Sequence, residues 1–217
     1  MEKKDRNGLI VSAVLLLAFV VWTWLVNSVD VRAIGPKNSS VGFAALNGFF
    51  HSVTDVNMTL YTVTDWLGLV PIFVALGFAV LGLVQWIARK SFLKVDRSIL
   101  ILGGFYIAVM AVYALFEVIC INYRPVLIDG YLEASYPSST TLLTMCVMPT
   151  AVMQLRSRIK TRIIRTCLTA LIISFTAFMV IGRLISGVHW VTDIIGGAMI
   201  SVSLVTAYSS LVNLSNR

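Results

Sequence analysis

Long apolar runs alternate along the chain with short polar or basic segments. A helix needs about 20 apolar residues to cross a bilayer, and six runs approach or exceed that length. They predict membrane-spanning helices at residues 8–26, 66–88, 98–121, 138–155, 166–185 and 189–212. Residues 27–65 contain only shorter apolar patches, which predict a non-spanning segment with interfacial amphipathic helices. The expected fold class is therefore all-α: a six-transmembrane-helix bundle with interfacial helices between helices 1 and 2, forming a single integral membrane domain over residues 1–217.

The composition supports insertion into a membrane. Apolar residues make up 58% of the chain and charged residues only 12%, which excludes a water-soluble domain of ordinary composition. The first apolar run has a basic flank, as a signal peptide does, but it is long enough to span and lacks a clear cleavage site, so we expect a retained anchor. Cys120, Cys146 and Cys167 have no ligand spacing and predict neither a disulfide framework nor a metal site.

The basic residues sort to one side of the predicted membrane. Most of the 17 Lys and Arg lie near the N-terminus and in two short loops, residues 89–97 and 156–165. Short loops rich in Lys and Arg stay in the cytoplasm. The pattern predicts a plasma-membrane protein with both termini cytoplasmic, and it explains the net charge of +7 without a nucleic-acid partner. The exceptions, which this topology places on the extracytoplasmic side, are Arg32, Lys37, Arg124 and Arg183.

Three polar stretches meet on that extracytoplasmic side: Arg124-Pro125, residues 137–140 and residues 182–193. Two guanidinium groups at the ends of separate helices can bind a phosphate or carboxylate as a fork. Ser138 follows a proline at a predicted helix start, where free N–H groups favour an anion. His189 and Asp193 are four residues apart, so they share a helix face, and the carboxylate can orient the imidazole as a nucleophile.

Each of these features also has a structural explanation when it is taken alone. A serine at a helix start is commonly a cap, an interfacial arginine commonly extends its side chain to water, and His and Asp four residues apart can form a structural pair. Their coincidence on one predicted face favours an anion-binding site that contains an activated histidine.

These motifs resemble those of the type-2 phosphatidic acid phosphatase superfamily, whose pattern is K-x6-R-P, then P-S-G-H, then S-R-x5-H-x3-D. The resemblance covers about residue 66 to the C-terminus. The third motif matches at three positions, with Gly182 where the family has serine; the matching residues are Arg183, His189 and Asp193. The second keeps Pro137 and Ser138 but has Ser139 for glycine and Thr140 for histidine, and the first keeps Arg124 and Pro125 but has Glu117 for lysine.

The resemblance implies a role for each matching residue and no cofactor. His189 would attack phosphorus and form a phosphohistidine, with Asp193 orienting it. The phosphoryl oxygens would be held by Arg124, Arg183 and Ser138, with Ser139 beside them. The family's second-motif histidine protonates the leaving oxygen, which Thr140 cannot do because a hydroxyl is a very weak acid. Glu117, two helical turns before Arg124, is expected to pair with that arginine and compete with phosphate for it.

Two functions remain open. A leaving group that is itself a phosphate needs little protonation, so the expected enzyme is a membrane phosphatase acting on a lipid phosphate, preferably a lipid diphosphate such as a polyprenyl diphosphate. The alternative is a catalytically impaired family member that binds, transports or regulates lipid phosphates.

Two features outside the motifs bear on the chemistry. His51, in the segment before helix 2, is either a replacement acid folded over the site or an interfacial residue beside Phe49 and Phe50. The chemistry requires no metal, although Glu117, Asp129 and Asp193 leave one conceivable.

Overall fold

The computed structural model describes residues 3–215 and is helical, with no β-strand in this range. Its α-helices, in chain order, are α1 (Lys3–Ser28), α2 (Ala44–Thr54), α3 (Met58–Leu67), α4 (Leu69–Arg89), α5 (Arg97–Val118), α6 (Ser139–Arg158), α7 (Arg162–Ile185) and α8 (Val191–Ser215). Short 3-10 turns at Pro36–Asn38 and Phe92–Lys94 lie in the connections. The all-α prediction is confirmed.

The protein is an integral membrane protein, with five helical stretches long and apolar enough to cross a bilayer. These are Arg6–Ser28, Met58–Arg89, Arg97–Val118, Arg162–Ile185 and Val191–Ser215. The second stretch begins at Met58, not near Trp66 as predicted, because only Gly68 separates α3 from α4. The hydroxyl of Thr64 donates to the carbonyl of Leu60 within α3, so polar residues that indicated a non-spanning segment are accommodated inside a helix.

The remaining predicted span, residues 138–155, corresponds to α6, and the count of six spans is not confirmed. This helix has the required length of 20 residues but too little apolar character to stand with the other five. It occupies the middle of the bundle and packs against α4, α5, α7 and α8. A helix surrounded by other helices can carry hydroxyl groups because they find partners inside the protein. The hydroxyl of Thr150, for example, lies 3.2 Å from the hydroxyl of Tyr106 on α5.

The helix directions bring all the motif residues to one end of the bundle. Helices α5 and α7 end there, α6 and α8 begin there, and the two basic loops lie at the other end. Aromatic and apolar side chains from α1, α5, α6 and α8 form the core between these ends; examples are Phe19, Phe105, Leu142 and Tyr208. Helix α1 packs along α8, and hydroxyls of Ser12 and Ser203 each donate to the other's carbonyl at 2.9 Å.

The chain between α1 and α4 covers the motif end of the bundle. The backbone N–H of Asn57, at the start of α3, donates to the carbonyl of Ser186 at 3.0 Å. Next to it Gly187 has a φ of +67°, and a Cβ there would overlap the carbonyl of Asp55. Glycine is therefore required where the α2–α3 connection meets the α7–α8 connection. This contact places α3 beside the motif residues.

Candidate active site

The side chain of His189 lies at the centre of the motif end, in the connection between α7 and α8. Its Nε2 atom is 3.3 Å from a terminal nitrogen of Arg124, in the connection after α5, and 3.3 Å from a terminal nitrogen of Arg183, in the last turn of α7. A guanidinium can only donate hydrogen bonds, so Nε2 must accept them and carry its lone pair toward the two arginines. The structure therefore brings these three predicted residues together.

Ser135 bridges the other imidazole nitrogen to the predicted carboxylate. The Ser135 hydroxyl lies 3.0 Å from His189 Nδ1 and 2.5 Å from Asp193 Oδ2, whereas the direct Nδ1 to Oδ2 distance is 3.8 Å. The hydroxyl has one proton, which it donates to the carboxylate, and its oxygen then accepts the proton on Nδ1. Asp193 thus acts on the imidazole through a serine and not by the direct contact that the spacing suggests.

Two further donors fix the carboxylate of Asp193. The backbone N–H of Trp190 donates to Oδ2 at 2.9 Å, and the side-chain amide of Asn122 donates to Oδ1 at 3.3 Å. The carboxylate is fully buried, so each of these bonds compensates part of the cost of removing its charge from water. The Asp193 side chain is therefore held in one orientation, and through Ser135 it holds His189.

The electrostatic surroundings keep His189 neutral. Burial lowers the pKa of His189 well below its ordinary value of 6.5, and the positive charges of Arg124 and Arg183 lower the pKa further. A neutral imidazole protonated on Nδ1 has a nucleophilic lone pair on Nε2 at neutral pH. Both the hydrogen-bond directions and the charge distribution thus favour the same tautomer.

Each arginine also has a carboxylate at the rim of the site. Arg124 Nε is 3.0 Å from an oxygen of Glu133, an ion pair without the directed geometry of a hydrogen bond, and Arg183 Nη1 is 3.5 Å from Asp65 Oδ1 on α3. The expected pair between Arg124 and Glu117 is not present in residues 3–215. The connection after α5 folds back on itself, so that the N–H of Arg124 donates to the carbonyl of Glu133 at 3.0 Å.

The altered motif positions have different surroundings. Glu117 and Ser139 line one small cavity together with His189 and Ser135. Thr140 faces the α3–α4 junction instead, where a Cβ on Gly68 would be 3.7 Å from its methyl group.

The contacts of Ser138 in the structure are structural, and its role in binding phosphate stays a prediction. It is fully buried, and its hydroxyl caps α6 by accepting from the N–H of Thr141 at 3.4 Å. Its own N–H donates to the carbonyl of Asp193 at 3.1 Å, which ties the start of α6 to the start of α8.

The structure describes the surroundings of His51 and of the three carboxylates that a metal could have used. The ring of His51 packs edge-on against Trp190, with centroids 5.5 Å apart, and burial lowers the pKa of His51 despite the nearby Asp55. This contact favours a packing role over that of a replacement acid. Across residues 3–215, no three His, Cys, Asp or Glu side chains come together as metal ligands, so Glu117, Asp129 and Asp193 do not form such a group.

Several residues of the site were not anticipated from the sequence: Asn122, Glu133, Ser135, Tyr61 and Asp65. The first three lie in the connection after α5, where polar residues are ordinary and no spacing marks them. Tyr61 and Asp65 lie in a segment that the hydropathy pattern assigned to the membrane interface. Their four-residue spacing indicates that they share one face of α3, but only the fold shows that this face meets the two arginines.

The family model of the PAP2 superfamily matches residues 38–217. The chain belongs to the PAP2 superfamily. It is therefore a membrane-embedded member of a phosphatase family, as the motif resemblance indicated. The match begins well before α4, so the family region includes α2 and α3, which the sequence motifs did not reach.

One solved structure with the same fold is the crystal structure of the first transmembrane PAP2 type phosphatidylglycerolphosphate phosphatase from Bacillus subtilis. The two chains share 17% identity, the TM-score is 0.59, and the alignment covers 94% of this chain and 96% of that one. At this identity the likeness establishes the fold alone. No curated protein sequence matches the chain significantly.

Proposed function

We propose that this protein is a lipid phosphate phosphatase of the PAP2 superfamily, that it prefers a lipid diphosphate, and that His189 forms a phosphohistidine. The observation that carries the proposal is the position of His189 Nε2, 3.3 Å from both Arg124 and Arg183. A nucleophile between two guanidinium groups meets a phosphoryl group whose oxygens those guanidiniums bind. The terminal phosphate of the lipid is the ligand that fits this arrangement.

The reaction proceeds in two displacements. In the first, the Nε2 lone pair forms a bond to phosphorus while the bond to the leaving oxygen breaks, and the leaving group keeps that electron pair. The imidazole becomes positively charged, and Asp193 stabilises it through Ser135. In the second, water attacks phosphorus, the P–N bond breaks, and the electron pair returns to Nε2 as inorganic phosphate forms. The arginines hold the phosphoryl oxygens throughout, with Ser138 and Ser139 at the start of α6 beside them.

The preference for a diphosphate follows from the chemistry of the leaving group. General acid catalysis typically contributes 10²–10⁴-fold, and Thr140 cannot provide it. An alkoxide leaving from a monoester needs a proton, whereas a phosphate leaving from a diphosphate is already a stable anion. A lipid diphosphate therefore loses less from the replacement of the family's histidine by Thr140.

We propose that the site faces the extracytoplasmic side of the plasma membrane, with both termini cytoplasmic. The basic loops between α4 and α5 and between α6 and α7 lie at the end of the bundle opposite His189. Short Lys- and Arg-rich loops are retained in the cytoplasm. A thiol-reactive, membrane-impermeant probe tests this with single cysteines at Tyr131 and Lys160 in a Cys-free background. If intact cells are labelled at position 131 and not at position 160, the result agrees with the proposal. The reverse pattern contradicts it.

Phosphate release from purified protein tests the enzymatic proposal. The substrates are a polyprenyl diphosphate, phosphatidic acid and phosphatidylglycerophosphate, with the His189→Ala variant as the control. We expect release that depends on His189 and is at least tenfold faster from the diphosphate. Equal rates would contradict the leaving-group argument, and no release above the control would contradict hydrolysis.

Glu117 and Thr140 also favour a second candidate, a family member that binds lipid phosphates without turning them over. This candidate predicts that lipid-phosphate affinity survives His189→Ala and falls with Arg124→Ala or Arg183→Ala. Turnover that His189→Ala abolishes decides against it.

A further inference from the structure

We propose that Tyr61 is a positioning residue of the phosphate site, and that its ring is a common platform for the guanidinium groups of Arg124 and Arg183. The Tyr61 ring centroid is 4.9 Å from Cζ of Arg183 and 5.8 Å from Cζ of Arg124. Both distances are within the range of a cation–π interaction. No matching motif position includes Tyr61, and the inference rests on the proposed function only for the identity of the ligand.

The platform addresses a problem of charge that the site itself creates. Two positive groups lie within 3.3 Å of the same imidazole nitrogen, so they repel each other at short range. The carboxylates of Glu133 and Asp65 balance this charge, but their attraction also competes with His189 for the arginines. The face of an aromatic ring attracts both cations without competing for phosphate, because it brings no negative charge.

The arginines keep donors free for an anion while they rest on this ring. Arg183 is 1% exposed, and its Nε is buried without a hydrogen-bond partner in the described part of the chain. A buried donor that lacks a partner costs free energy, and an oxyanion that contacts Nε would satisfy it. The ring thus holds the guanidinium planes in place, and hydrogen bonds to the protein do not use up their donors.

A close helix contact brings Tyr61 to this position. Helix α3 packs on α7 at Gly182, where a Cβ would lie only 2.8 Å from the methyl group of Thr64. Thr64 is fully buried and one turn from Tyr61 on α3. A side chain at residue 182 would therefore push α3 outward and move the ring away from the arginines. This contact gives a physical reason for glycine at the position where the family motif has serine.

Binding of orthovanadate, a phosphate-shaped oxyanion, tests the platform independently of turnover. Affinity is measured by calorimetry on the full-length protein in detergent, for the wild type and for Tyr61→Leu, Tyr61→Phe and Tyr131→Leu. Tyr131 is a matched control because it is 73% exposed and its side chain, among the described residues, neither hydrogen-bonds nor stacks against a residue of the site. We expect Tyr61→Leu to weaken binding about tenfold, since two desolvated cation–π contacts are lost, and Tyr61→Phe to stay within about twofold of wild type.

In steady-state hydrolysis of a lipid phosphate that the enzyme turns over, Tyr61→Leu should raise KM more than it lowers kcat, and Tyr61→Phe should have a KM close to that of the wild type. A merely structural role would lower the melting temperature without this split. Equal losses in Tyr61→Leu and Tyr61→Phe, or vanadate affinity in Tyr61→Leu within twofold of wild type, would overturn the inference.

A second pair of variants keeps the inference testable if Tyr61→Leu does not fold. Gly182→Ala should weaken vanadate binding as Tyr61→Leu does, and adding Thr64→Ser should restore it because the interfering methyl group is removed while the hydroxyl stays. Unchanged affinity in Gly182→Ala would contradict the proposed docking of α3. If the wild type hydrolyses no lipid phosphate but vanadate affinity follows this pattern, the proposed function fails and the platform remains.

Discussion

Within residues 3–215, the hydroxyl of Ser135 is the only atom that hydrogen-bonds the side chains of both His189 and Asp193, so Ser135→Ala is the most informative change at the site. Without the hydroxyl, Nδ1 and the carboxylate oxygen are left 3.8 Å apart, beyond hydrogen-bond range. The imidazole then loses the partner that fixes its tautomer, and the cationic phosphohistidine loses its connection to the buried carboxylate. We expect the variant to fold, because the backbone N–H of Ser135 still donates to the carbonyl of Asn122 at 2.8 Å.

The magnitude follows from the kind of hydrogen bond that is removed. A bond to a charged group contributes about 1.5–3 kcal/mol, and about 1.4 kcal/mol corresponds to a tenfold change in rate. Ser135→Ala should therefore lower kcat for phosphate release by about 10- to 150-fold, with a much smaller change in KM because the arginines are untouched. The assay is steady-state phosphate release from a polyprenyl diphosphate in detergent micelles.

Ser52→Ala is the matched control for this experiment. Ser52 is an exposed serine on α2 whose hydroxyl donates to the carbonyl of Phe49, so its removal should leave kcat close to the wild-type value. The reasoning is refuted if Ser135→Ala keeps more than half of the wild-type kcat, since Asp193 would then orient the imidazole without the serine.

Three other predictions concern pH, the opposite end of the bundle and the altered motif. The profile of kcat/KM against pH should be flat above pH 6.5 and fall only below it, because the lowered pKa of His189 keeps the ring neutral. The free energy of unfolding should also decrease as the pH drops below 6.5, since the histidine of the unfolded chain takes up a proton at a higher pH than the buried one does. An apparent pKa of 6.5 or higher for this step would contradict the buried site. Asp96, whose pKa is lowered chiefly by the hydrogen bond from Arg89, lies at the end of the bundle opposite His189. Asp96→Asn should leave phosphate release unchanged. It should lower the free energy of unfolding by less than about 1 kcal/mol, because a half-exposed ion pair contributes little. Changing Glu117→Lys and Thr140→His together should raise monoester hydrolysis relative to diphosphate hydrolysis, and an unchanged substrate ratio would mean that these positions do not act on the leaving group.

The long apolar helices could be predicted from the sequence because hydropathy depends on composition alone. Helices α5, α7 and α8 begin and end within a few residues of their predicted bounds. The start of the second spanning stretch could not be predicted, because Thr64 is satisfied by its own helix and covered by α7, which no local pattern reveals. The polarity of α6 likewise reflects its central position and not exposure to water.

The site could be predicted in its central part only. The spacing in the third motif brought Arg183, His189 and Asp193 together, and span counting added Arg124. The bridging role of Ser135 depends on how the connection after α5 folds back, which single-residue patterns do not encode. The same fold-back pairs Arg124 with Glu133, so the prediction that Glu117 pairs with Arg124 was wrong. The path of this connection decides the pairing, and the sequence pattern does not reveal that path.

Trapping the covalent intermediate tests the central claim most directly. Wild-type protein mixed with a polyprenyl diphosphate labelled in its terminal phosphate, and quenched in alkali within milliseconds, should carry label on His189 in an acid-labile, base-stable form. His189→Ala should carry none, and Ser135→Ala should accumulate label more slowly. Phosphate release by the wild type without any labelled His189, or equal labelling of His189→Ala, would contradict a mechanism in which His189 is the nucleophile.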